Sequence, residues 1–146
     1  MSTKEILLVE DNPDDQELVL RSLKRANIAN EVVVAQDGVQ ALEYLFGVPG
    51  GAPRERSEMP ALVLLDLKLP RIGGIEVLKR IRERSETSCL PVVILTSSSE
   101  DEDMIRSYES GANSYVRKPV DFVEFAAAVR ELGLYWLILN SVPKLA

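Results

Sequence analysis

The sequence predicts an α/β protein: a parallel five-stranded sheet with helices on both faces, a three-layer sandwich. Three observations predict it. Five short apolar runs alternate with longer stretches of helical periodicity. The runs are apolar at every position instead of every second one, as in strands covered on both faces. A helix between successive strands implies parallel pairing through right-handed crossovers.

Taken in order, "EILLVE" (5–10) reads as the first, buried strand. Asn12 as N-cap and Pro13 at the first helical position then open a helix, with Asp14 and Asp15 in its first turn. Val19, Leu23 and Ala26 give that helix a core stripe. "EVVVA" (31–35) is the second strand, and "DGVQALEYLF" (37–46) the second helix, with Val39, Leu42 and Phe46 on one face. "ALVLLD" (61–66) is the third strand. A helix from about 74 to 84 buries Val77, Leu78 and Ile81. "PVVILT" (91–96) is the fourth strand. Ser99 with Glu102 matches a capping box, opening a helix with Ile105 and Tyr108 inward that stops at Gly111. "SYVRK" (114–118) is the fifth strand. A last helix spans about 120–139, its core face carrying Phe122, Phe125, Val129 and Leu132. The result is the flavodoxin-like (βα)5 sandwich with sheet order 2-1-3-4-5.

Two segments depart from this minimal pattern. "GVPGGAPRERSEMP" (47–60) is long for a connection and lacks the GK[ST] ending of a phosphate-binding loop. It is expected as a mobile insertion within one domain spanning 1–146. In "LYWLIL" (134–139) every residue is apolar or aromatic, whereas a surface helix needs only one apolar stripe. The surplus is expected to form a homodimer interface, unless the extension folds back and buries itself.

The totals exclude several classes of function. With 146 residues, 46% apolar and 27% charged, the chain can bury a sizeable core. A net charge of -6 argues against nucleic-acid partners, which call for basic patches. Cys89 is the lone cysteine and is expected to be inert, so there is no intrachain disulfide. The absence of a signal peptide or a long apolar span points to a cytoplasmic protein with no membrane partner. There is no histidine, so Ser-His-Asp, Cys-His and His-ligated zinc chemistry is excluded.

Sites in open α/β sheets lie at the carboxyl ends of the strands. There stand Glu10 and Asp11, Asp66, Thr96 and Lys118. The strand order brings them together: three carboxylates, a hydroxyl and an ammonium. Carboxylates this close repel unless a cation joins them, and an all-oxygen donor set suits Mg2+ or Mn2+. A hard cation beside a lysine can neutralise a transferring phosphoryl group, with Asp66 as nucleophile. Asp14 and Asp15 are read as complements to the helix dipole, with extra metal ligation as the alternative.

"VEDN" (9–12), "LLDLKLP" (64–70) followed by "GG" (73–74), "VVILTS" (92–97) and "YVRKP" (115–119) together resemble the receiver domains of two-component response regulators. The likeness covers nearly the whole chain. It implies that Asp66 is the phosphoacceptor, with Lys118 and Thr96 assisting. Asp11, Asp66 and the backbone carbonyl of Lys68 would ligate Mg2+ (or Mn2+), with Glu10 binding through water or from behind. Thr96 and Tyr115 would form a switch pair, and Lys118–Pro119 would be cis. The 47–60 loop and the ending "LGLYWLILN" resemble regulators paired with phytochromes. The partners implied are a sensor histidine kinase, possibly of phytochrome type, and a downstream phosphorelay protein. The last helix leaves only "NSVPKLA", so output is expected through protein contacts, with no catalysis beyond the chain's own phosphorylation and dephosphorylation. A small phosphatase with an Asp nucleophile is the rival reading. It is disfavoured because Lys68 stands where such enzymes place a second acid. A flavin carrier is disfavoured by the acidic "EDNPDD", which would repel phosphate. A receiver that is never phosphorylated stays open as a further alternative.

Overall fold

The computed structural model describes residues 4–48, 51, 58–118 and 121–143. Its strands are β1 (Ile6–Val9), β2 (Val32–Ala35), β3 (Leu62–Leu65), β4 (Val92–Thr96) and β5 (Ser114–Arg117). The helices are α1 (Pro13–Arg25), α2 (Gly38–Phe46), α3 (Gly74–Glu83), α4 (Asp101–Glu109) and α5 (Phe122–Leu134), the last running into a π-helical turn at Tyr135–Leu139. Every strand pairing is parallel and the order is β2-β1-β3-β4-β5, as the apolar runs predict.

Strand alternation splits the core into two layers. Leu7, Val9, Val63, Leu65 and Ile94 face α2 and α3, meeting Ala41, Leu45, Val77, Leu78 and Ile81. Ile6, Leu8, Leu62, Leu64 and Leu95 face α1 and α5, meeting Val19, Leu23, Phe125 and Val129. β1, β3 and β4 are buried at every position. Each fully buried Leu, Ile or Val contributes about 1.5–3 kcal/mol, so the central strands anchor whatever stands at their ends.

The helices correct several sequence expectations. In α2 the buried stripe is Gly38, Ala41 and Leu45, not Val39, Leu42 and Phe46. Small residues let the helix sit close: a Cβ on Gly38 would come within 2.1 Å of the Ile72 carbonyl oxygen. Leu42 and Phe46 pack at the margin, with the Arg84 guanidinium 4.3 Å from the Phe46 ring centroid. In α1 Val19 and Leu23 are buried and Ala26 is half-buried at the C-cap. In α4 Ile105 and Tyr108 are exposed, and the buried residue is Ser107. Its hydroxyl donates to the Asp103 carbonyl at 2.8 Å, so a polar residue is accommodated there without an orphan donor. The expected Ser99–Glu102 box is shifted: Ser98 Oγ donates to Asp103 Oδ2 at 2.6 Å and accepts the Glu100 amide at 3.3 Å.

Behind the sheet, Arg82 ties two loops together, the α3–β4 and α4–β5 connections. Its guanidinium donates to the carbonyls of Gly111 (2.8 Å), Thr87 (3.2 Å), Ser88 (3.2 Å) and Leu90 (2.7 Å), and to Asn113 Oδ1 (2.8 Å). Asn113 Oδ1 also accepts the Val92 amide at 2.8 Å, at the start of β4.

The last helix loses α geometry after Leu134. The π turn is closed by the Asn140 amide donating to the Tyr135 carbonyl at 2.7 Å. Trp136 and Leu137 fold back onto the α1/α5 layer, while Tyr135, Ile138 and Leu139 are exposed. Part of "LYWLIL" thus folds back onto the chain, as the alternative expectation had it, and part stays exposed. Of the 47–60 insertion, Met59 is buried in the core, and 49–50 and 52–57 lie outside the described residues. The Lys118–Pro119 bond and the Phe122 side chain lie outside them too. Cys89 is exposed. Among the described residues, no helix is long and apolar enough to cross a membrane.

Candidate functional site

Main-chain bonds continue the sheet one residue past three of its strands and so fix the site. The Glu10 amide donates to the Ala35 carbonyl (2.9 Å), that of Asp66 to Val9 (3.1 Å), and that of Lys118 to Thr96 (2.7 Å). Asn12 then turns the chain into α1, its side chain accepting the Asp14 and Asp15 amides at 2.9 and 3.2 Å. α3 begins against the end of β3, where the Gly74 amide donates to the Leu67 carbonyl at 2.9 Å. A Cβ at Gly74 would lie 2.2 Å from the Asp66 carbonyl oxygen, so only glycine permits this approach.

The predicted acids and lysine converge. Lys118 Nζ donates to Glu10 Oε1, to Asp15 Oδ2 at 2.9 Å and to Asp66 Oδ2 at 3.1 Å. Glu10 Oε2 accepts the Asn12 amide at 3.2 Å, and Asp66 Oδ1 the Lys68 amide at 3.3 Å. The Glu10, Asp66 and Lys118 side chains are 3%, 9% and 7% exposed, so their charges meet largely out of water. Asp11 is exposed at the rim. Carboxylate oxygens of Glu10, Asp11 and Asp66 all lie within 4.8 Å of one another.

The charge balance of this cluster is short of one cation. Burial pushes the Glu10 carboxyl up to about 7; the Asp66 charge adds to the push and Lys118 pulls against it. Burial acts to lower Lys118, but bonds to Glu10 and Asp15 and the charge of Asp66 outweigh it, holding the ammonium above the usual lysine range. Three carboxylates that share one ammonium, two of them buried, are the environment a divalent cation relieves. The donor set is all oxygen and open to solvent at Asp11, which fits Mg2+ or Mn2+, ions that keep part of their water shell.

Thr96 and Tyr115 do not touch each other through their hydroxyls; both engage Ser98. Thr96 is fully buried at the end of β4, and its Oγ1 accepts the Ser98 amide at 3.3 Å. The Tyr115 hydroxyl donates to the Ser98 carbonyl at 3.4 Å. The Lys68 side chain is exposed.

Sequence reasoning assigned Asp15 to the helix dipole and missed its bond to Lys118. The signal was its place: three residues past the cap, one turn into α1, where the side chain faces back over the strand ends. It likewise missed Ser98 as the residue between Thr96 and Tyr115.

The response regulator receiver domain model matches residues 6–130. The probable methanogenesis regulatory protein FilR2 of Methanothrix harundinacea is 39% identical over 138 residues, covering 94% of this chain and 86% of that protein. The crystal structure of the Mn2+-bound form of response regulator Rcp1 aligns with TM-score 0.85 at 36% identity, over 97% of this chain and 99% of that one. The phosphorylated cyanobacterial phytochrome response regulator RcpA aligns with TM-score 0.87 at 33% identity, over 98% and 100%.

Proposed function

This chain belongs to the response regulator receiver domain family, and on that premise we propose that it is a phosphoryl-accepting switch whose acceptor is Asp66. The observation that carries this reading is the buried meeting of Asp66 with Lys118 beside the acids Glu10 and Asp11. An Asp66 oxygen forms the O–P bond as the P–N bond of a kinase phosphohistidine breaks, and the imidazole leaves with the electron pair. Lys118 is placed to bind a phosphoryl oxygen, and the buried site keeps bulk water from competing. Asp11, Asp66 and the Lys68 carbonyl would hold Mg2+ or Mn2+, with Glu10 behind; the ion supplies charge neutralisation for the incoming oxygens.

The added group brings nearly two negative charges and new acceptor oxygens. Thr96 would turn its hydroxyl from the Ser98 amide to the phosphoryl group. Ser98 also holds the Tyr115 hydroxyl, so that turn loosens Tyr115 and shifts the β4–α4–β5 face between two populations. The similarity to RcpA supports a phytochrome-type histidine kinase as donor. The exposed Tyr135, Ile138 and Leu139 support a homodimer through the end of the last helix, with output to a phosphorelay protein.

The test is intact-protein mass spectrometry after incubation with acetyl phosphate and Mg2+. Wild type is expected to gain one phosphoryl group, and Asp66→Asn none. Equal labelling of the two proteins, or none of wild type, sinks the assignment.

A further inference from the structure

We infer that Asp15 is a positioning residue that keeps the Lys118 ammonium aimed at Asp66 once a cation occupies the acidic cluster. An ammonium has three N–H donors, and among the described residues Lys118 has three carboxylate partners: Glu10, Asp15 and Asp66. Two of these, Glu10 and Asp66, belong with Asp11 to the group whose oxygens lie within 4.8 Å of one another. A divalent ion there draws on their lone pairs and weakens their hold on the lysine. Asp15 is outside that group, so it is the Lys118 partner with which the ion does not compete.

The geometry suits an anchor. Asp15 stands in the first turn of α1, its amide fixed by the Asn12 side chain at 3.2 Å, so its short side chain starts from a rigid frame. Lys118 reaches the site on a flexible four-carbon stem whose freedom must be lost each time it binds a phosphoryl oxygen. A charge-assisted bond at 2.9 Å removes that freedom beforehand. Complementing the helix dipole does not need this contact: the neighbouring Asp14, exposed in the same turn, does so without it.

This inference rests on the reading of Asp66 as acceptor, and its test separates the two. In the full chain with saturating Mg2+, Asp15→Asn is expected to slow labelling by acetyl phosphate about tenfold, and Asp15→Glu to restore most of it. In a Lys118→Ala background, Asp15→Asn is expected to have no further effect. Two readouts need no phosphoryl transfer. The Mn2+ dissociation constant, read from the paramagnetic resonance signal of the free ion, should change by less than about twofold in Asp15→Asn. The Lys118 ammonium signal in 15N NMR of the metal-loaded protein should be protected from exchange in wild type and lost in Asp15→Asn. Wild-type labelling rates in Asp15→Asn, an unchanged ammonium signal, or Mn2+ affinity falling in step with the rate would each overturn the inference. If wild type takes no phosphoryl group, the acceptor reading fails, and the ammonium signal still decides whether Asp15 tethers Lys118.

Discussion

Replacing Gly74 with alanine should damage stability and site together, whereas the same change one residue earlier should do neither. A Cβ at Gly74 would sit 2.2 Å from the Asp66 carbonyl oxygen, 2.7 Å from Leu67 Cα and 3.0 Å from the Asp66 carbonyl carbon. All three are backbone atoms of the segment that delivers Asp66, so no rotamer change relieves the contact. α3 must retreat by about 1 Å to reach ordinary van der Waals distance, in a core packed too densely to absorb the shift. Overpacking of this kind costs about 1–3 kcal/mol, and stretching the Gly74–Leu67 hydrogen bond adds about 1 kcal/mol. For a chain of this size that total lowers Tm by about 5–15 °C. At Gly73, by contrast, a Cβ would meet only the Leu67 carbonyl oxygen, at 3.8 Å, and the backbone angle of -71° suits any residue. Gly73→Ala should stay within about 1 kcal/mol of wild type. Urea and thermal unfolding followed by circular dichroism measure both, and Mn2+ titration reads the site. A Gly74→Ala protein that melts within 2 °C of wild type, or a Gly73→Ala protein that loses as much, would refute the steric reasoning.

Three further outcomes are expected. Glu10, raised to about 7 from 4.5, confers stability through its protonated form; that stability is complete below about 4.5 and is lost as pH rises through about 7. Mg2+ takes the proton's place, so its stabilisation in scanning fluorimetry should be larger at pH 8 than at pH 6. Equal gains at both pH values, or an undiminished difference in Glu10→Gln, would contradict this. Arg82→Lys should cost about 2–4 kcal/mol in urea unfolding, since one ammonium cannot serve four carbonyls and Asn113 together. A loss under 1 kcal/mol would mean the loops hold themselves. Trp136→Ala should cost about 1–3 kcal/mol, while Ile138→Ser should cost under 1 kcal/mol and weaken self-association in sedimentation velocity. Reversed costs would mean that the inward and outward halves of the π turn are misassigned.

The sheet was legible because its signal is redundant. Uninterrupted apolar runs, helices between them and the crossover rule all lead to a parallel sheet, whose carboxyl ends share one edge; the flavodoxin-like order then sets Glu10, Asp66 and Lys118 near one another there. Helix faces were less legible. In α2 the residues that seat the helix are Gly38 and Ala41, which carry little hydrophobic weight, so periodicity favoured the larger Val39, Leu42 and Phe46. In α4 the buried position belongs to Ser107, because a thin contact with β5 and α3 is met by a self-satisfied hydroxyl and leaves Ile105 and Tyr108 outside. The capping residues differ by one position from the box because Ser98 reaches forward to Asp103 across the start of the helix. Asp15 was misread for another reason: its place in the first turn of α1 puts it over the strand ends, but a dipole role accounts for an acid there equally well, and its partner lies 103 residues away.

Ser98 engages Thr96 through its amide and Tyr115 through its carbonyl, and only its hydroxyl is spent elsewhere, on α4. The link between the two side chains is therefore written in the main chain. Nineteen of the twenty amino acids would preserve both groups, and proline alone would delete the donor. Because Ser98 is buried, only small side chains fit there, and among those a substitution alters how firmly the loop is moored to α4 without cutting the line between Thr96 and Tyr115. Relatives could thus differ in residue here and still share one wiring, leaving the side chain available as an adjustable brake.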